Sequence, residues 1–340
     1  MSRNIYQITN LEHYYNRTPA LKINRFSISP ASIVGLIGPN GSGKTTFLKL
    51  LAFVEKPTKG KILFKGKAAE PFADYVRFQV TLLTQEPYLM KRSVFDNISY
   101  GLKIRGDKDD FRKRIYNALS LVGLPAEDFA HRRWYELSGG EAQRVAMAAR
   151  LVLKPEVLLL DEPTASVDAV SAQLIKEATI RARKELSTTL VIASHDWQWL
   201  YEICDVVFHL FKGHIFDTGM ENTVFGPWQQ RSDGYWEKIL QEGQRIIVLQ
   251  PPHEGAVAVF DPTSICISLK EDRRTDSTYT LHGIVSRLIL EQCTQKIVAT
   301  IIVDNLPFTV KLSQDQIHDL NLYPGQRVLI NYNSQAVTWH

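Results

Sequence analysis

Gly38-Pro39-Asn40-Gly41-Ser42-Gly43-Lys44-Thr45 fits the pattern G-x-x-x-x-G-K-[ST], in which glycines let backbone N–H groups close around phosphates. At ordinary amino-acid usage, a chain of 340 residues carries this pattern by chance about once in a hundred cases. Its setting argues against coincidence. Ser32-Ile33-Val34-Gly35-Leu36-Ile37 before it is a short apolar run, and Phe47, Leu50, Leu51 and Val54 after it recur at helical spacing. The segment therefore reads as strand, phosphate loop, helix, and the helix N-terminus adds partial positive charge where an anion would sit.

Val157-Leu158-Leu159-Leu160 and Leu190-Val191-Ile192-Ala193 suit central parallel strands buried on both faces. They run into Asp161-Glu162 and Ser194-His195-Asp196. Ligands of open α/β sheets bind beyond the carboxyl ends of strands, so three strand ends are expected at one site. Leu137-Ser138-Gly139-Gly140-Glu141 reads as a helix start, because Ser138-x-x-Glu141 is a capping box and Val145 and Ala149 continue a helical face. Such a glycine-rich start also presents N–H groups to an anion.

The net charge of +4 is small and its basic residues are scattered, which gives no support to nucleic-acid binding. No apolar run approaches the roughly 18 residues a membrane span requires, and residues 1–10 lack the apolar core of a secretory signal. A cytosolic chain is expected. Cys204, Cys266 and Cys293 are odd in number and widely spaced, so neither a disulfide framework nor a zinc site is expected.

The texture changes past Gly226-Pro227. From Arg245 the chain alternates β-rich runs, among them residues 246–249, 298–303, 308–310 and 328–330, with turn signals at Pro251-Pro252, Asp261-Pro262 and Pro324-Gly325. One short helix is expected after Ser313-x-x-Gln316, a second capping box. The expected organisation is an α/β P-loop domain over residues 1–226 with a helical subdomain at about 88–150, a linker at 227–245, and a small β-barrel domain at 246–340.

These motifs, in this order, resemble the ATP-binding subunit of an ABC transporter. The resemblance covers most of residues 4–225: the P-loop, Gln85, the LSGGE signature, Asp161-Glu162, the loop Ala165-Ser166-Val167-Asp168 with valine where leucine is commoner, and His195. It implies ATP and Mg2+ as cofactors. Lys44 and the backbone of Gly38, Pro39, Asn40, Gly41, Ser42, Gly43, Thr45 and Thr46 would hold the phosphates, with Thr45, Gln85 and Asp161 at the metal. Glu162 would activate water, assisted by Gln85, Lys44 and His195. Tyr15, in preference to Tyr14, would stack on the base. Ser138, Gly139, Gly140 and Asp168 would close on nucleotide held by a second copy, which makes an ATP-dependent homodimer the expected assembly.

The same resemblance implies a membrane permease partner, a solute-binding protein beyond it, and a place at the cytoplasmic face of the cell membrane. Residues 86–100 are the candidate docking segment, with Leu89, Met90, Val94 and Phe95 available to a partner helix or to the core. The C-terminal domain resembles the oxyanion-binding-like regulatory domain of binding-protein-dependent importers. Residues 50–60 and 100–103 look most like the tungstate branch, with molybdate its neighbour. Sulfate, iron, polyamine and sugar importers are the alternatives, and a non-transport ATPase a further one. Thr278 or Tyr279 stands where an arginine is usual, and Asn333 where a lysine is. The domain is therefore expected either to sense an oxyanion, through Ser277, Ser286, Arg287, Lys311 or Ser313, or to serve in dimerisation.

Overall fold

A computed structural model describes residues 4–107, 110–216, 222–253, 256–270, 278–291 and 295–339. Ser277 and Cys293 lie outside them. The chain divides into two compact units after Ile215.

The first unit begins with two long strands, β1 (Tyr6–Tyr15) and β2 (Thr18–Ile28), followed by β3 (Ile33–Ile37) and α1 (Lys44–Leu51). Next come β4 (Lys59–Phe64), β5 (Lys67–Ala68), α2 (Asp74–Arg77) and β6 (Val80–Leu83). The helical segment holds α3 (Val94–Arg105), α4 (Phe111–Leu121), α5 (Ala126–Phe129) and α6 (Gly139–Leu151). The unit closes with β7 (Val157–Asp161), α7 (Ala169–Leu186), β8 (Thr189–Ala193), α8 (Trp197–Ile203), β9 (Val206–Phe211) and β10 (His214–Phe216).

A four-stranded sheet has the order β2-β1-β4-β5, and a six-stranded sheet the order β10-β9-β3-β8-β7-β6. β9, β3, β8, β7 and β6 pair in parallel. This explains the unbroken apolar runs. Leu158, Leu160, Leu190 and Ile192 enter one core with Val145, Met147, Leu151 and Ile175 of the helices. Their neighbours Val157, Leu159, Val191 and Ala193 enter a second core with Tyr6, Phe47 and Leu50 on the opposite face.

Local chemistry sets the helix starts. Ser93, Asp110, Ser138, Asp168 and Asp196 each cap a helix by accepting a backbone N–H, and Ser138 completes a capping box with Glu141. Helix α1 stops at Leu51, earlier than its apolar spacing predicts. Phe53 adopts a left-handed φ of 53°, and Val54, expected on the helix face, is exposed.

In the second unit the strands are β11 (Asn222–Phe225), β12 (Gln229–Gln230), β13 (Trp236–Ile239), β14 (Arg245–Val248), β15 (Val257–Phe260) and β16 (Cys266–Ser268). They continue with β17 (Thr278–Leu290), β18 (Ile297–Val303), β19 (Leu306–Leu312), the helix α9 (Gln314–Leu320), β20 (Arg327–Asn333) and β21 (Thr338–Trp339). Three antiparallel sheets, β11-β15-β21, β12-β13-β14 and β16-β20-β17-β18-β19, enclose one apolar core that includes Trp228, Ile246, Phe260, Phe308 and Tyr332. Residues 227–245, expected as a linker, are instead part of this fold. Trp236 pairs with Val248, and Trp228 is buried with its indole N–H donating to the Ala256 carbonyl. Their polar texture concealed the strands β12 and β13, which pair with each other and with β14 in successive hairpins. Ser313 caps α9 in the expected capping box.

Candidate functional site

The ends of β3, β7 and β8 lie side by side, and a cleft of about 660 Å3 opens over them. Its floor is the P-loop and the first turn of α1: Pro39, Asn40, Gly41, Ser42, Gly43, Lys44, Thr45 and Thr46. Gln85 follows β6, Asp161 and Glu162 end β7, and His195 follows β8. Tyr15 forms part of the wall, together with Thr18, Pro19 and Ala20 of the same hairpin.

Backbone geometry makes the loop. Gly43 has φ 108°, and a Cβ there would stand 2.9 Å from the Ala20 carbonyl oxygen, so only glycine fits. Helix α1 has Gly43 at its N-cap and no side-chain cap, unlike every other described helix of the unit longer than four residues. Its first N–H groups are left to a ligand. The Gly38 carbonyl, at the base of the loop, accepts from Lys44 Nζ at 2.7 Å, and Pro39 O lies 3.4 Å from the same nitrogen.

The carboxylates are buried around that lysine. Glu162 Oε1 lies 3.7 Å from Lys44 Nζ and 3.1 Å from His195 Nε2, while Glu162 Oε2 accepts the His195 backbone N–H at 3.0 Å. His195 Nε2 is also 3.0 Å from Asn40 Oδ1. Glu162 itself adopts φ 46°, an uncommon conformation for a side-chain-bearing residue, and its N–H bonds to the Ala193 carbonyl. Burial raises the pKa of Asp161, opposed by a hydrogen bond from Thr45 and by the charge on Lys44. Burial lowers that of Lys44, opposed by Glu162 and Asp161. Asp161 Oδ1 and Ser42 Oγ are buried without a hydrogen-bond partner. Orphaned oxygens beside uncapped N–H groups fit a divalent cation bound together with phosphate oxygens.

Tyr15 and Tyr14 separate clearly. A register shift in β1 between His13 and Tyr14 precedes them, and Tyr15 alone reaches the cleft, with 44 % of its surface exposed. The Tyr14 hydroxyl donates to Glu12 instead. Thr18, Pro19 and Ala20 were not expected. The signal for them was Asn16-Arg17, whose positive φ values of 45° and 71° make the two-residue hairpin turn that brings β2 back over the loop.

Ser138, Gly139, Gly140 and Asp168 lie away from this cleft but together. A Cβ on Gly140 would stand 2.6 Å from Asp168 Oδ2 and 2.3 Å from Ser171 Oγ, so α6 approaches α7 through glycine. Asp168 accepts the Ser171 N–H at 2.9 Å, and hydrogen bonds from Ser171 hold its pKa low. Gly139 is different: a Cβ there would meet nothing closer than Ser166 O at 4.0 Å.

Within the expected docking segment, Val94 is fully buried, and Leu89 and Phe95 pack against the same core. Met90 bonds through both backbone groups to the Asn97 side chain. The exposed large aromatic side chains there are Tyr88 and Tyr100, beside the exposed Lys91 and Arg92. In the second unit, Lys311 pairs with Glu291 at 3.1 Å, both buried; Ser286 donates to the Thr300 carbonyl; Ser313 caps α9. Arg287 is exposed, and Thr278 faces Asn333 across the β17–β20 ladder.

The ABC transporter family description matches residues 21–165. The tungstate uptake system ATP-binding protein TupC of Peptoclostridium acidaminophilum is 34% identical over 211 residues, spanning 61% of this chain and 95% of that protein. The spermidine/putrescine import ATP-binding protein PotA of Mesoplasma florum is 36% identical over 269 residues, spanning 78% of this chain and 76% of that protein. Among solved structures, the dimeric post-hydrolysis state of the ATP-binding cassette MJ0796 bound to ADP and Pi matches with a TM-score of 0.57 at 26% identity, over 62% of this chain and 96% of that one. No described helix is long and apolar enough to cross a membrane. With a relative matched over nearly its whole length and the P-loop cleft in place, the chain belongs to the ATP-binding, ATP-hydrolysing subunits of ABC transporters.

Proposed function

We propose that this chain drives a binding-protein-dependent importer, as a homodimer that docks on a membrane permease from the cytoplasmic side, and that its cargo is tungstate or the closely similar molybdate. The observation that carries the mechanism is the separation within one copy between the P-loop cleft and the glycine-rich start of α6. Two copies facing head to tail would bring each signature to the other's cleft. The room at Gly139 would then serve the partner's nucleotide. The dimeric state of the MJ0796 cassette supports this arrangement.

Within the cleft, the backbone N–H groups of residues 41–45 and Lys44 hold the β- and γ-phosphates, and the exposed Tyr15 ring carries the base. Thr45, Asp161 and Gln85 are the residues that would hold Mg2+. When bound, that ion supplies positive charge across the phosphate oxygens as the terminal group departs. Glu162 takes the proton of the attacking water, and His195, already hydrogen-bonded to it through its N–H, holds its carboxylate in place. Tyr88 and Tyr100 are the exposed aromatic side chains of the 86–100 segment that would meet the permease.

Tungstate is favoured by the match to nearly the full length of TupC. The polyamine reading draws on PotA, whose match extends over more of this chain. Reconstitution with the permease would decide between them, by measuring ATP turnover in response to binding protein loaded with tungstate, molybdate, sulfate or spermidine. Stimulation by tungstate and molybdate is expected. Stimulation by spermidine alone would replace the oxyanion reading.

A further inference from the structure

Tyr15 has a hydroxyl that stacking does not require, since a phenylalanine offers the same apolar face. That hydroxyl donates to Glu55 Oε2 at 2.5 Å. Glu55 belongs to the turn between α1 and β4, far from Tyr15 in sequence, and its other oxygen lies 3.3 Å from Lys49 Nζ. Lys49 is in α1, the helix whose N-terminus forms the phosphate loop. The buried His13 ring also meets Tyr15 edge-on at 4.8 Å between centroids, with Nε2 3.5 Å from the same Glu55 Oε2.

We propose that Glu55 is a positioning residue that fixes the Tyr15 ring relative to the P-loop helix, and so sets affinity for the base half of a nucleoside triphosphate. This rests on the reading of Tyr15 as the base platform.

The physical case is preorganisation. Tyr15 stands at the end of a strand, largely exposed, and an unrestrained ring there would lose rotamer freedom each time it ordered against a base. The carboxylate settles that ordering beforehand. One oxygen engages the ring hydroxyl and the other faces the cation on α1, so base and phosphate subsites keep a fixed separation. His13 packs edge-on against the ring, which still lines the cleft. Tyr14 shows the contrast: its hydroxyl is held by Glu12, which is itself paired to Lys59 of β4, and it takes no part in the cleft.

The test uses the full chain and two probes, ATP and inorganic tripolyphosphate, which has the phosphates without the base. Glu55→Ala should raise the KM for ATP about three- to tenfold, the range one hydrogen bond spans, with kcat little changed. Glu55→Gln, whose amide oxygen still accepts, should restore most of the affinity. Tyr15→Phe should raise KM to the same degree, and adding Glu55→Ala to it should cost nothing more. Inhibition by tripolyphosphate should be unaltered in all of them. An unchanged KM in Glu55→Ala and Tyr15→Phe, or equal weakening of tripolyphosphate, would overturn the proposal. Tyr15→Ala separates the two readings. If it weakens ATP while the milder variants do not, the clamp alone falls; if it leaves ATP binding intact, the base platform falls and the clamp with it.

Discussion

The two units treat their polar side chains in opposite ways. In the first, Ser42 Oγ and Asp161 Oδ1 are buried without partners, α1 begins without a side-chain cap, and Glu162 is held at a left-handed φ. In the second, three of the five side chains that were candidate oxyanion ligands are engaged by the fold: Lys311 by Glu291, Ser286 by the Thr300 carbonyl, Ser313 by α9. Burial of a polar atom without a partner costs about 1–3 kcal/mol, and at Ser42 and Asp161 the open cleft admits a ligand that would satisfy both. Residue type alone does not distinguish the two cases. Lys44 and Lys311 are both lysines largely withdrawn from solvent near carboxylates, yet one faces an open cleft and the other a closed pair.

The largest expected effect tests the first half of that contrast. Glu162→Gln keeps an oxygen for the His195 N–H but removes the base, so turnover should fall about 10²- to 10⁴-fold. With hydrolysis stopped and MgATP saturating, the variant should elute as a dimer in sizing experiments and return to a monomer when nucleotide is removed. A variant that stays monomeric with MgATP would break the head-to-tail arrangement. One that keeps turning over would show that the strained carboxylate is not the base.

Lys311→Met tests the second half. It leaves Glu291 buried beside an apolar side chain, which should destabilise the second unit by about 3–5 kcal/mol. Replacing Glu291 with leucine in addition should recover most of that loss, because a matched apolar pair removes both desolvation costs. Calorimetric titration of the unmutated full chain with tungstate should give no binding heat attributable to Lys311, so the heats of Lys311→Met should match it. If Lys311→Met kept full stability and lost a tungstate signal, the second unit would be a sensor and the contrast would dissolve.

The same contrast explains what could be read from sequence. The P-loop, the two carboxylates, His195 and both capping boxes are local patterns, set by residues a few positions apart, and parallel strands announced themselves as unbroken apolar runs. Whatever depended on how segments are placed in space was hidden. Thr18, Pro19 and Ala20 reach the cleft because a two-residue turn folds β2 back, and residues 227–245 become strands because β14 supplies the partner for β13. Val94, left open between a partner helix and the core, lies in the core, at the first position of α3 after the Ser93 cap. Lys311 looked like an anion ligand because nothing in its own segment shows Glu291 across the sheet.

The smallest expected effect sharpens the comparison most, because it holds local chemistry constant. Ser138 and Ser313 occupy the same motif: each side chain accepts the N3 backbone N–H at 3.2 Å, and each serine's own backbone N–H donates in return, to Glu141 Oε2 in one case and Gln316 Oε1 in the other. Ser138→Ala and Ser313→Ala should each cost about 1 kcal/mol of stability, the ordinary worth of an N-cap, read as matching shifts in denaturant midpoint. If capping were the whole role of both, turnover would be unaffected in either variant at temperatures where both remain folded. Ser138 does not line the cleft of its own copy, so a loss of turnover in Ser138→Ala alone points to action through a second copy. That result is expected. Equal turnover in the two variants would reduce the signature to a helix start, and the case for a composite site would rest on nothing in this chain.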